Sequence, residues 1–242
     1  MPRRFVWEGI VTSSATRFLE AVMKLSEATH KKKLVILGTG SYAEAVFSVA
    51  HETGQFDVEA FVENWDRTKC SQSLCGRPVV WIDEADDFAR THLAICALGT
   101  TRRSGFIRQA YAQGFSFATL VHPAACLAPE AGVGEGSIIS PGTVVAAYTT
   151  IGRHVVINRG CLIGHHGAIS DFCTISPGAN IGGSVTIGEE TYVGMGAIIL
   201  DHVAIGSRCV VGAAALVTRS LPDRVQAVGI PAKITKENID GL

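Results

Sequence analysis

Residues 151–169 read IGRHVV INRGCL IGHHGA I, so that Ile151, Ile157, Ile163 and Ile169 stand six apart. The spacing runs without a miss from Val133 to Val217, always Ile or Val. The residue two places earlier is always small or β-branched, as at Thr149, Val155, Cys161 and Gly167. Two locked registers at period six are the signature of a hexapeptide-repeat parallel β-helix. Each hexapeptide supplies a short strand and a corner, three close a triangular coil of eighteen residues, and the large aliphatic stacks on its equivalent in the next coil. The fifteen hexapeptides therefore predict five coils. Glycine often follows the aliphatic, as at Gly134, Gly152, Gly164, Gly182 and Gly212, and Asn158 stands there once. This predicts corners of positive φ at that position.

The repeat fills only the second half of 242 residues, so a separate domain precedes it. Residues 1–30 read as an N-terminal extension, with Phe18, Val22 and Leu25 at helical spacing in a docking helix over 15–28. The apolar run Leu34–Leu37 ends in Gly38-Thr39-Gly40 and is followed by a helical segment to about His51 and a strand at Glu59–Val62. That order predicts a βαβ unit. Further strands are expected at Pro78–Ile82 and His92–Leu98, a helix at Arg103–Ala112, and a closing strand at Phe117–Val121. The domains expected are thus an α/β Rossmann-like nucleotide-binding domain over 31–122 and a β-helix with a C-terminal tail over 123–242.

A net charge of −1 carries no electrostatic footprint for nucleic acid. Glu8, Arg17, Glu20 and Lys24 break up any apolar leader or membrane span, which predicts a cytoplasmic protein. Of seven cysteines, Cys161, Cys173 and Cys209 fall in the small-residue register and read as small buried hydrophobes rather than disulfide partners.

The turn Gly38-Thr39-Gly40-Ser41-Tyr42-Ala43 follows a GxGxxA pattern, with Glu63 ending the next strand. Such a turn lets backbone amides and a helix N-terminus approach a phosphate while an acidic residue meets a ribose. A tight turn needed only for packing has the same pattern. In the β-helix, residues eighteen apart stack at about 4.8 Å, which sets His165 directly under Gly183. A base and an unencumbered backbone amide on adjacent coils are what acyl transfer requires, and histidine is the side chain that can start such a cycle neutral near pH 7. The bland alternative is a polar corner residue. His166 and His202 lie two coils apart, about 9.6 Å. That is too far for one zinc ion within a chain, so no metal is expected. The γ-class carbonic anhydrases, which bind zinc between chains, have a third histidine where this chain has Ser207.

Together these residues resemble the bacterial sialic acid O-acetyltransferase-like sugar acyltransferases, which include N-acetyltransferases of nucleotide-linked 4-amino sugars. The resemblance spans about residues 33–234. It joins the Gly38-Thr39-Gly40 turn, the five coils, the stretch Ile157-Asn158-Arg159-Gly160-Cys161-Leu162-Ile163-Gly164-His165 and the tail Val228-Gly229-Ile230-Pro231-Ala232-Lys233. It implies a left-handed coil and a homotrimer with sites between neighbouring β-helices. It also implies transfer from acetyl-CoA to a nucleotide-linked amino sugar in surface-glycan or lipopolysaccharide synthesis. On it, His165 matches the general base, Gly183 the backbone donor to the thioester oxygen and Asn158 an active-site polar residue. Gly183, Gly212, Pro231 and Lys233 would meet acetyl-CoA; Gly38, Gly40, Ser41, Tyr42, Glu63 and Asn64 would hold the nucleotide sugar. Three positions depart from the family: His166 stands where an acidic residue commonly follows the base, Thr174 where some members have a second histidine, and Ser41-Tyr42 where Gly-His is frequent. Transfer to a sugar hydroxyl and a non-catalytic nucleotide-sugar-binding trimer remain as alternatives.

Overall fold

The computed structural model describes residues 31–242, of which Lys32–Leu242 forms one compact unit. The expected helix over 15–28 and the whole extension over 1–30 lie outside the described residues. The unit begins with a sheet ordered β3-β4-β2-β1-β5-β6. Its strands are β1 (Lys32–Leu37), β2 (Phe56–Glu63), β3 (Ser73–Leu74), β4 (Arg77–Trp81), β5 (Leu93–Cys96) and β6 (Ser116–Phe117). All pairings are parallel except β3 with β4. Leu34, Val35, Ile36 and Leu37 are all fully buried because β1 is central and covered on both faces. Helix α1 (Ser41–Glu52) packs Ala43, Val46 and Ala50 on one side. On the other, α3 (Arg103–Ala112) packs Phe106, Ile107 and Ala110, while α2 (Asp86–Thr91) precedes β5.

The strand expected at Phe117–Val121 is two. Ser116–Phe117 joins the first sheet, and Leu120–Val121 pairs with Ile138–Ile139 as the first rung of the β-helix. Two-residue strands then follow at every sixth position to Leu216–Val217, each as far as Ile198–Ile199 pairing with the strand eighteen residues on. The result is a left-handed parallel β-helix of five coils from Val133 to Val217, extended below by the rungs at Leu120–Val121 and Cys126–Leu127. Those two rungs keep the register, but Leu127 hides it, being neither Ile nor Val. The period-six aliphatics, together with Cys161, Cys173 and Cys209, form one continuous core. Each buried Ile adds about 1.5–3 kcal/mol, and burial pushes the Cys161 and Cys173 thiols up to about 11 and about 12.

The glycines after the aliphatics serve a purpose other than the one their pattern predicts. Positive φ falls three residues after the aliphatic, at every sixth residue from Gly136 to Ala214, and includes Tyr148, His154, His166 and His202. At Gly164, instead, an added Cβ would lie 2.5 Å from the carbonyl carbon of Gly182, and at Gly182 2.5 Å from the amide of Asp201. Coils stack too closely there for any side chain.

Arg103, 1 % exposed, fastens α3 to the β-helix. Its guanidinium donates to the carbonyl oxygens of Thr100, His154, Phe172 and Cys173 and to Thr174 Oγ1, at 2.6–3.1 Å. Thr174 is therefore spent at this junction, on a face roofed by α3.

His154 shares the junction, its Nε2 2.9 Å from Tyr111 Oη and its ring stacked on Phe172. Burial first, then the Arg103 and Arg153 charges, pushes its pKa down to about 4. An unfolded histidine titrates near about 6.5. Between about pH 6.5 and 4 the unfolded chain binds the extra proton, so stability falls as pH falls. The thermal midpoint is expected to drop across that window and the slope to flatten in His154→Phe. An unchanged slope in the variant would assign the loss to other groups.

Candidate active site

Three groups of site residues are set by three different parts of the fold. The first is the corner at residues 164–166. Corner hydrogen bonds run from the third residue after an aliphatic to the second residue of the coil below: His166 N donates to Ala147 O, Ser184 N to His165 O and His202 N to Gly183 O, at 2.7–3.0 Å. That pattern leaves the amide of the second residue without a backbone acceptor among the described residues. At two other corners a carboxylate from the next coil captures it, Asp171 Oδ1 accepting from Arg153 N and Asp223 Oδ1 from Ser207 N. Gly183 N has no acceptor among the described residues; Asp201, one coil on, lies beside His202 instead.

The His165 ring rests on Gly183, where an added Cβ would stand 2.9 Å from Cε1 and 3.0 Å from Nε2. Its Nδ1 is 3.1 Å from His166 Nδ1, and the His166 ring packs against Tyr148, tilted by 39° with centroids 4.9 Å apart. His166 thus occupies the position of the expected acidic neighbour and still reaches the base. When His165 Nδ1–H donates to His166 Nδ1, the Nε2 lone pair is left free beside the Gly183 amide.

The second group lies on the preceding corner of the coil. Asn158 lines a cavity of about 270 Å³ between α1 and the β-helix, with Tyr42, Ser140 and Arg159. Tyr42 Oη is buried there without a partner among the described residues, and burial pushes its pKa up to about 12. Gly212 and the tail sit above this same corner: Leu216 N donates to Gly229 O, Ala232 N to Leu216 O, and Val228 packs where a Gly212 side chain would project. Pro231 and Lys233 are exposed. Within one chain, Asn158 and His165 are not brought together.

The third group forms a cleft of about 450 Å³ lined by Gly38, Thr39, Gly40, Glu63, Asn64, Trp65, Lys69, Leu98, Arg102 and Phe106. Ser41, exposed at the start of α1, and Tyr42 stand outside it. Gly38 has a φ of +107°, and an added Cβ would stand 3.0 Å from Leu98 Cδ2, so both the backbone and the space call for glycine. Glu63 is buried. Burial would raise its carboxyl, but hydrogen bonds from Thr39 and from the Trp65, Asn64 and Asp66 amides outweigh that and hold it below the ordinary carboxylate value. Both carboxylate oxygens are thus engaged by the protein, so Glu63 shapes the cleft. Lys69, Arg102, Trp65 and the apolar floor of Leu98 and Phe106 escaped the sequence reading. Only Trp65 had a signal, being adjacent to Glu63-Asn64. Among the described residues no His, Cys, Asp and Glu side chains gather as a metal set, and no helix is long and apolar enough to cross a membrane.

The family model of the bacterial transferase hexapeptide (six repeats) matches residues 184–219. A solved variant of perosamine N-acetyltransferase from Caulobacter crescentus, in complex with CoA and GDP-perosamine, is 32 % identical. The match covers 85 % of this chain and 97 % of that one, with a TM-score of 0.79. The chain belongs to the hexapeptide-repeat bacterial sugar acetyltransferases. The acetyltransferase domain of PglB from Neisseria gonorrhoeae, in complex with acetyl coenzyme A, is 30 % identical over 84 % of this acetyltransferase and 99 % of that chain, at a TM-score of 0.77. WeeI from Acinetobacter baumannii is 25 % identical over 84 % and 100 %, at 0.75. No curated protein sequence matches.

Proposed function

We propose that this acetyltransferase transfers acetyl from acetyl-CoA to the amino group of a nucleotide-linked sugar. The observation that carries the reading is the His165 ring lying against Gly183, whose amide has no acceptor within the described protein. The sugar amine attacks the thioester carbonyl and a C–N bond forms. The oxygen becomes negative and accepts from Gly183 N–H, while His165 Nε2 takes the amine's proton. The C–S bond then breaks, and the imidazolium returns that proton to the departing thiolate. His166 acts as the neutral counterpart of an acidic orienter, fixing the tautomer through Nδ1. The solved relatives bound to CoA, acetyl coenzyme A and GDP-perosamine support both substrates.

We place the reaction in the cytoplasm, in surface-glycan synthesis, and its sites between copies of a homotrimer. One flat face of the β-helix exposes Val144, Leu162 and Ile198 at 42 %, 46 % and 44 %. That apolar strip is one a second copy would cover. The face is bounded by the Asn158 corner on one edge and the His165 corner on the other. Three copies turning this face to a common axis bring His165 of one beside Asn158, Gly212 and the tail of the next. The test is a panel of UDP-, GDP- and dTDP-linked amino sugars with acetyl-CoA, scored by thiol release. Release with one amino sugar and not with its hydroxyl analogue is expected. Release with neither, under conditions where the protein binds acetyl-CoA, overturns the reading.

The cleft in the first domain is the nucleotide site of this proposal. Gly40 lies there with extended φ of −85°, and an added Cβ meets nothing within 4 Å. Gly40→Val should therefore leave the thermal midpoint alone and raise the nucleotide-sugar KM by tenfold or more, acetyl-CoA binding being intact. A normal KM would make the turn merely structural.

A further inference from the structure

Trp65 is 92 % exposed, the most exposed of the large hydrophobic side chains described. Its backbone is nonetheless firmly held, the amide donating to Glu63 Oε1 at 2.8 Å, with Asn64 Nδ2 bonded to Gln109 Oε1 beside it. Trp81, by contrast, is covered by the Arg67 guanidinium at 5.5 Å; Trp65 has no such cover among the described residues. A pinned backbone carrying a bare indole at the rim of a cleft is a surface prepared for a flat partner.

The rest of the cleft says which partner. Helix α1 starts at Gly40 with no side-chain cap, and the Ser41 and Tyr42 amides have no acceptor among the described residues; Arg102 lines the cleft beside them with Lys69, which is paired with Glu63 at 3.6 Å. That end suits an anion, whereas Leu98, Phe106 and Trp65 suit an aromatic ring. A ligand anionic at one end and flat at the other is a nucleoside diphosphate. We infer that the Trp65 indole is the platform on which the nucleobase of the sugar nucleotide stacks. The inference rests on the nucleotide-sugar reading above and adds to it the residue that holds the base. Every base has a π-face, so the platform sets affinity for the nucleoside without choosing its identity.

Binding of UDP, GDP and dTDP to the full-length protein, wild type against Trp65→Ala and Trp65→Phe, tests it by calorimetry and by tryptophan emission. Trp65→Ala is expected to weaken the nucleotide that the wild type binds best by about 5- to 100-fold, while Trp65→Phe keeps most of the affinity. Nucleotide should quench a component of wild-type emission that is missing in Trp65→Phe, with the thermal midpoint unchanged in both variants. Equal affinity in Trp65→Ala, or quenching that survives in Trp65→Phe, overturns the stacking role alone. A wild type that binds none of the three nucleotides overturns the substrate reading and the platform with it.

Discussion

His165→Ala is expected to lower kcat by about 10²–10⁴, the usual range for a positioned general base, with acetyl-CoA affinity within about twofold of wild type. The separation follows from geometry. The ring is exposed at its corner, so its loss opens no cavity in the core. The Gly183 amide, held by the backbone of its own coil, remains in place to meet the thioester oxygen. What disappears is the acceptor for the amine's proton, which matters only as the C–N bond forms. Single-turnover thiol release with saturating acetyl-CoA and sugar nucleotide reads the step directly. Turnover within twofold of wild type would remove His165 from the mechanism and leave the Gly183 amide and substrate positioning as the sources of rate.

The pairing of His165 with Gly183 is legible from sequence because a β-helix converts residue number into height: a difference of eighteen is one coil wherever it occurs. Fold class follows from the same arithmetic. The reading errs where two physical causes share one residue type. Glycine after each aliphatic looks like a demand for positive φ, yet the coil contact at Gly164 and Gly182 excludes a Cβ, while left-handed φ falls on Tyr148, His154 and His166. The cleft at the ends of β1 and β2 is only half legible. Gly38, Gly40, Glu63 and Asn64 belong to a turn pattern. Arg102 and Phe106, from the turn before α3 and from α3 itself, and Lys69, from the short helix Arg67–Ser71, arrive through tertiary packing, which has no period. Asn158 and His165 show the remaining limit. A chain's own register puts them on different corners, and only an assembly can join them.

That assembly carries the last expected result. Asn158→Ala should lower turnover about 10- to 100-fold, the effect of losing one hydrogen bond to a polar substrate, and His165→Ala more. If each site combines His165 of one copy with Asn158 of the next, trimers mixed at random from equal amounts of the two variants regain intact sites. The His165 side comes from an Asn158→Ala chain half the time, and the Asn158 side from a His165→Ala chain half the time. About a quarter of all sites are then wild type. Coexpressed variants should thus show about a quarter of wild-type turnover, well above either parent. Leu162→Glu with Ile198→Glu, which charges the shared face, should yield monomers that fold but turn over neither substrate. Activity no higher than the average of the two parents would place the whole site within one chain. A charged-face variant that is monomeric and fully active would do the same, because no neighbouring corner would be left to supply Asn158.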